Sequence, residues 1–212
     1  MQNSSPASVV LLGAGGHAKV VADICLAVGH KIVGYLDDNM PVDTEWLGGK
    51  IIGRIDLLND ASFAARYSFI AAVGDNALRR NLAEKVISAG ATMLSVTHPS
   101  AVVSPFAKVG AGTVIMPGAI INAAARVGDF CILNTGCTVD HDCILEDGCQ
   151  VCPGAHLAGN VCCGQDAFIG TGATIIPVVK LAERVIVGAG STVIGDVPAD
   201  VTVVGSPANI QV

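Results

Sequence analysis

Charge is scarce in this chain of 212 residues: Asp, Glu, Lys and Arg make up only 14% of it, against 51% hydrophobic residues. So little charge calls for a globular protein with an extensive buried core. Basic residues are scarcer still, 12 against 18 acidic, for a net charge of −6. That balance argues against nucleic acid and anionic membrane as partners, because either needs a basic face from which counterions are released. A local basic pocket for phosphates stays compatible with it. No uninterrupted apolar run approaches the roughly eighteen residues of a membrane span. The opening MQNSSPAS lacks the basic and apolar regions of a secretory signal, so the expected location is the cytoplasm.

What is present is a rhythm. From Val103 an aliphatic residue returns every six positions, through Ile115, Val127, Val139, Val151, Ile175 and Val187 to Val193, with Cys163 as the single exception. Four residues after each stands a small or β-branched residue, such as Ala119, Ala125, Cys143, Ala155 or Ala173. Neither a helix nor one ordinary strand repeats this way. A period of six with two inward positions describes short strands joined by bends, three to a triangular coil of about eighteen residues, each coil hydrogen-bonded to the next at roughly 4.8 Å. This is a hexapeptide β-helix over residues 98–212. The cysteines follow its phase: Cys131, Cys137, Cys143 and Cys149 fall on the inward small position and read as core fillers, since a free thiol behaves as a small hydrophobe. In a reducing compartment no disulfide is expected.

Residues 1–97 read differently. Val9–Leu12 is a buried strand running into Gly13-Ala14-Gly15-Gly16-His17-Ala18 and then the helical pattern Val20, Val21, Ile24, Ala27, Val28. Strand, glycine turn and helix match G-x-G-x-x-G/A, and a second strand, Lys31 to Leu36, ends in Asp37-Asp38 at about the distance of a nucleotide-contacting acid. Gly48, Gly49 and Gly53 read as a polar connection, Leu57 to Tyr67 as a helix, and Ser68 to Val73 as a strand closed by Gly74-Asp75-Asn76. A capped helix from Ala77 to Ala89 follows, then a strand around Met93 to Thr97. The alternation predicts a small, mostly parallel, Rossmann-like sheet that binds a nucleotide-type ligand.

Phase locates the chemistry. His141 stands two residues past Val139, at an outward corner, and Gly159 holds the same phase one coil later. The imidazole is therefore predicted to lie one strand spacing, roughly 5 Å, from a backbone N–H with no side chain in the way. A general base beside a free amide donor suits attack on a thioester carbonyl, and Asp142 is placed to orient the imidazole.

The set Gly-Ala-Gly-Gly-His-Ala-Lys, Leu36-Asp37-Asp38, Ala72-Val73-Gly74-Asp75-Asn76 with Arg79, His98-Pro99-Ser100-Ala101, Asn134-Thr135-Gly136, Asp140-His141-Asp142-Cys143 and Val203-Val204-Gly205-Ser206-Pro207-Ala208 resembles the bacterial nucleotide-sugar acyltransferases over essentially the whole chain. The resemblance implies a left-handed β-helix that binds acetyl-CoA, a homotrimer with sites between subunits, and no metal. It implies N-acetylation of the 4-amino group of a nucleotide-linked 4-amino-4,6-dideoxy sugar, GDP-perosamine first, within O-antigen and lipopolysaccharide synthesis; O-acetylation of a sialic-acid-type sugar is the alternative. By the same resemblance Gly15, Gly16, His17, Asp37, Asp38, Gly74 and Asn134 contact the sugar nucleotide. Gln150, where the family often has histidine, joins Gly159, Thr171 and Ala189 against CoA, with Lys180 and Arg184 near its phosphates. His98 reads as structural, His30 and His156 as surface residues.

Three other readings compete. An NAD(P) oxidoreductase would need a catalytic domain for which the hexads leave no room. A β-helical zinc lyase needs three converging imidazoles, and this helix offers only His141 and His156, at different phases. A noncatalytic scaffold does not explain the register of His141 with Gly159.

Overall fold

The computed structural model describes residues 6–211. The chain divides into two compact units, the first ending at Pro99 and the second running from Ser100.

In the first unit β1 (Ser8–Leu12) is central because residues 9–12 are wholly buried on both faces. It pairs in parallel with β2 (Lys31–Leu36) on one side and β5 (Ser68–Ala71) on the other. With β3 (Glu45–Trp46), β4 (Gly49–Gly53) and β6 (Thr92–Met93) the sheet order is β3-β4-β2-β1-β5-β6, parallel except for β3–β4. Helix α1 (Gly16–Ala27) follows β1 and turns Ala18, Val21, Ile24 and Cys25 inward. The order of strands reverses between β1 and β5, the position at which open α/β sheets hold ligands beyond their C-terminal strand ends.

Three local expectations are corrected here. The glycines at 48, 49 and 53 do not mark a loop: they sit in a β-hairpin whose second strand extends the sheet. Glycine is required for that approach, since a Cβ on Gly34 of β2 would stand 2.5 Å from Ile52 Cγ2 and 2.7 Å from the Lys50 carbonyl oxygen of β4. The helix expected over Leu57–Tyr67 is instead a 3₁₀ turn at Ile55–Asn59 and the single turn α2 (Ala61–Ala64), because the Asp60 carboxylate accepts from the N–H groups of Ser62 and Phe63 and starts a new helix there. His30 is not a surface residue. Gly29, at φ +81°, closes α1 with the Gly29 N–H on Leu26 and the His30 N–H on Cys25. That turn tucks the imidazole in, where Nδ1 accepts from the Ala7 N–H at 3.2 Å. Helix α3 (Asn76–Ser88) is capped by Asp75, which accepts from the Leu78 N–H at 2.7 Å.

The second unit is a left-handed parallel β-helix. Two-residue strands recur every six positions, and each pairs in register with the strand eighteen residues on: Thr138 with His156, Val139 with Leu157, Gln150 with Phe168, Cys162 with Lys180. They stack into three parallel sheets, the faces of a prism. Face one carries Val114–Ile115, Ile132–Leu133 and Gln150–Val151; face two Ile120–Ile121, Thr138–Val139 and His156–Leu157; face three Arg126–Val127, Ile144–Leu145 and Cys162–Cys163. The repeating aliphatics fill the interior at or near zero exposure, each worth about 1.5–3 kcal/mol of burial. At each corner from Gly112 to Gly190 one residue adopts a left-handed conformation, six positions apart without a gap, including Asp142, Asn160 and Val178. The hairpin Thr202–Gly205 and Ala208–Ile210 ends the stack, its first strand parallel to Ile186–Val187 and its second antiparallel.

The inward thiols do more than fill space. Cys131, Cys143 and Cys149 each donate from Sγ to a corner carbonyl of the next coil, on Glu146, Ala158 and Gly164 respectively. Cys149 and Cys152 share C-x-x-C spacing, yet they point to different partners, Cys152 accepting from the Gln150 side chain.

Candidate active site

The edge between faces two and three carries His141 and Gly159. His141 and Gly159 occupy successive coils of that edge, tied together by the Asn160 N–H donating to the His141 carbonyl at 2.9 Å. A Cβ on Gly159 would stand 2.6 Å from both Cε1 and Nε2 of His141. The backbone at 159 is not in the left-handed region, so it is the imidazole lying flat over it that requires glycine there. Among the described residues the Gly159 N–H has no acceptor.

The histidine is held by the carboxylates on either side of it in sequence. Its backbone N–H donates to Asp140 Oδ1 at 2.7 Å, and Asn122 Nδ2 donates to the same oxygen at 2.9 Å. Its Nδ1 lies 2.8 Å from Asp142 Oδ2. A carboxylate only accepts, so Nδ1 carries the hydrogen and Nε2 is left with a free lone pair. Asp142 stands in the left-handed corner position at φ +60°, which lets its side chain turn back onto the preceding residue. The hydrogen bond that His141 Nδ1–H donates to Asp142, with the charges of Asp140 and Asp142, raises the imidazole pKa above its ordinary 6.5. Hydrogen bonds from the His141 N–H and Asn122 keep Asp140 ionised below the usual carboxylate range.

Thr171 and Ala189 also lie one coil apart, but on the edge between faces one and two, so one chain does not bring them to His141. Asn134 belongs to that same edge, its Oδ1 accepting from the Thr135 N–H at 2.8 Å. Gln150 faces outward from face one yet is only 7% exposed, with Oε1 buried and unpartnered. Lys180 stands on face three beside a cavity of about 770 Å³ that Glu146, Cys162 and Asp196 also line. Arg184 is engaged by Asp200 on two nitrogens and by Glu183 on one of them. His156 lies on face two, sharing a hydrogen bond with Thr138 at 2.9 Å.

In the first unit the glycine turn lies at the reversal between β1 and β5. Gly13 is required there: φ is +100° and a Cβ would meet Val73 Cγ1 at 2.6 Å. Gly15, Gly16 and Gly74 border open space instead. Asp37 spends both oxygens on its own chain, Oδ2 accepting from the Ala14 N–H at 2.8 Å and Oδ1 from Asn39 and Met40. Asp38 accepts from the Ile55 N–H at 3.0 Å and lines a cavity of about 800 Å³ with Arg54, Asn81 and Lys85. His17 has its Nε2 buried without a partner. Burial, reinforced by the nearby Arg79 guanidinium, pushes its pKa down to about 4, so the ring is neutral. Arg79, which sequence reasoning left as a motif residue, is fully buried, donating to the Val73 and Gly74 carbonyls at 3.4 and 3.2 Å and to Asn76 Oδ1 at 2.8 Å. Its place at the β5 turn was legible only as an arginine one turn into α3.

A hexapeptide-repeat β-helix with an imidazole stacked on a glycine at one edge, and an α/β unit with a glycine turn at its strand reversal, is the architecture of the nucleotide-sugar acyltransferase class. Residues 8–86 match the family model described as the PglD N-terminal domain. The chain is 30% identical over 173 residues to GDP-perosamine N-acetyltransferase of Escherichia coli O157:H7, covering 76% of this chain and 77% of that protein. It is 39% identical over 112 residues to UDP-N-acetylbacillosamine N-acetyltransferase of Bacillus subtilis, covering 51% of this chain and half of that relative's length. Among solved structures, a histidine-to-asparagine variant of perosamine N-acetyltransferase from Caulobacter crescentus, in complex with CoA and GDP-perosamine, is 39% identical and superposes with a TM-score of 0.93 over 98% of each chain. The chain belongs to the bacterial nucleotide-sugar N-acetyltransferase family.

Proposed function

We propose that this protein transfers an acetyl group from acetyl-CoA to the 4-amino group of a nucleotide-linked 4-amino-4,6-dideoxy sugar, with GDP-perosamine as the first substrate to test. The observation that carries this reading is the stack of His141 on Gly159. The sugar amine attacks the thioester carbonyl carbon, Nε2 of His141 accepts the amine proton, and the carbonyl oxygen takes up negative charge beside the Gly159 N–H. The tetrahedral intermediate collapses by breaking the C–S bond; the CoA sulfur leaves with the proton that His141 Nε2 had accepted, which restores the neutral imidazole. Asp142 fixes the tautomer that leaves Nε2 able to accept. Support from relatives is specific: the Caulobacter structure holds CoA and GDP-perosamine, and the E. coli relative is named for the same sugar.

Thr171 and Ala189 would meet CoA, and they sit on a different prism edge from His141. A second subunit brings the two edges face to face, which favours a homotrimer with each acetyl-transfer site built by two chains. Asp38, His17 and the open glycines at 15, 16 and 74 would receive the sugar nucleotide; Asp37, with both oxygens engaged, shapes the turn they stand on. The test is to incubate the protein with acetyl-CoA and a panel of GDP-, UDP- and dTDP-linked 4-amino sugars, with hydroxyl-only sialic-acid-type acceptors as a separate arm, and to follow thiol release. Release with the GDP-linked amine above the other arms is expected. Release confined to the hydroxyl acceptors would overturn the assignment.

A further inference from the structure

The Gly159 N–H belongs to the same planar unit as the Ala158 carbonyl, so whatever holds that oxygen also aims the hydrogen. The oxygen is held by Cys143, whose Sγ donates to it at 3.1 Å. Cys143 is fully buried, and burial pushes its thiol up to about 11, so the donor hydrogen stays in place at neutral pH. A hydrogen bond accepted at a peptide oxygen polarises the whole unit and strengthens its N–H as a donor.

Resting on the acyl-transfer reading above, we propose that Cys143 is a positioning residue for acetyl transfer: its thiol anchors the Ala158 carbonyl inward, and thereby directs and polarises the Gly159 N–H toward the thioester oxygen. His141, Asp142 and Cys143 then supply, in three consecutive residues, the base, the group that orients it and the anchor of the opposing donor. The same contact recurs where no reaction is placed, from Cys149 to the Gly164 carbonyl at 3.1 Å and from the Thr113 hydroxyl to the Gly128 carbonyl at 3.0 Å. Satisfying an inward corner carbonyl is thus a general device of this prism, and at one corner it falls on the peptide whose other end faces His141.

The test compares Cys143→Ala, Cys143→Val and Cys143→Ser with Cys149→Ala in the full chain. Alanine and valine occupy the same inward phase at Ala155 and Val161, so both replacements suit the fold. Losing the donor is expected to lower kcat about 3- to 10-fold in Cys143→Ala and Cys143→Val with KM for acetyl-CoA unchanged, because the oxyanion forms only in the transition state. Cys143→Ser restores the donor and the rate. Cys149→Ala loses an equivalent hydrogen bond and keeps kcat within two-fold of the parent. Equal loss in Cys143→Ala and Cys149→Ala, no loss in Cys143→Ala, or no recovery in Cys143→Ser would overturn the proposal. His141→Asn is run beside them: its loss of transfer, with an unaltered Cys143 series, would leave the acyl-transfer reading standing and remove this one, whereas a fully active His141→Asn would remove the reading itself.

Discussion

Two edges of the prism share one backbone and differ in what stands on it. Between faces one and two, every left-handed corner residue from 118 to 190 is glycine: Gly118, Gly136, Gly154, Gly172 and Gly190. Between faces two and three the same position holds Ala124, Asp142, Asn160 and Val178, at φ of 60–71°. The conformation is therefore a property of the coil, and the residue type records what each edge does. A glycine edge is smooth, with open space where a Cβ would be on Gly136, Gly154, Gly172 and Gly190. The other edge accepts the strain of non-glycine corners, of order 1–3 kcal/mol each, and places a carboxylate against His141 at one of them.

Substitutions can break that contrast in graded ways. The largest expected loss at a glycine is Gly159→Ala. The new methyl meets the imidazole, a movable ring, so the fold survives while His141 is displaced. The kcat should fall about 10²–10³-fold, as for a misplaced base or oxyanion donor, with little change in thermal stability. A smaller effect belongs to Asp142→Asn, which suits the left-handed corner and spares the fold. On the proposed mechanism His141 acts as the neutral imidazole, so the rate of the parent should rise with pH through a value above 6.5. Removing the carboxylate that favours imidazolium moves that acid limb to lower pH, and a plot of kcat/KM against pH reads the shift. Smallest is Gly154→Ala on the smooth edge: the methyl enters open space at φ +63°, costing about 1 kcal/mol in thermal unfolding and leaving kcat unchanged.

The same contrast explains what could be read in advance. The sixfold return of Val, Ile and Leu is a direct image of the interior, because the large inward position of each hexad must be apolar, and the His141–Gly159 register follows from it by counting. The left-handed corner was not legible: its occupants include Gly, Ala, Phe, Asp, Asn, Val and Arg, since that site is outward and constrained by backbone alone. In the α/β unit the glycines misled in the opposite sense. Gly49 and Gly53 looked like a loop, whereas they lie in a strand that approaches β2 closely enough to require Gly34. Asp60 broke an expected helix through its own carboxylate, and Asp37 binds its own turn as well, which its spacing after the strand did not show. Short-range side-chain to backbone bonds of this kind compete with periodicity and leave no period of their own.

The most direct measurement is acetyl transfer by His141→Asn against the parent, with acetyl-CoA and GDP-perosamine at saturation and circular dichroism confirming the fold. The expected result is a loss of about 10²–10⁴ in kcat. A folded His141→Asn protein that keeps most of the parent rate would show that the imidazole stacked on Gly159 is not the base.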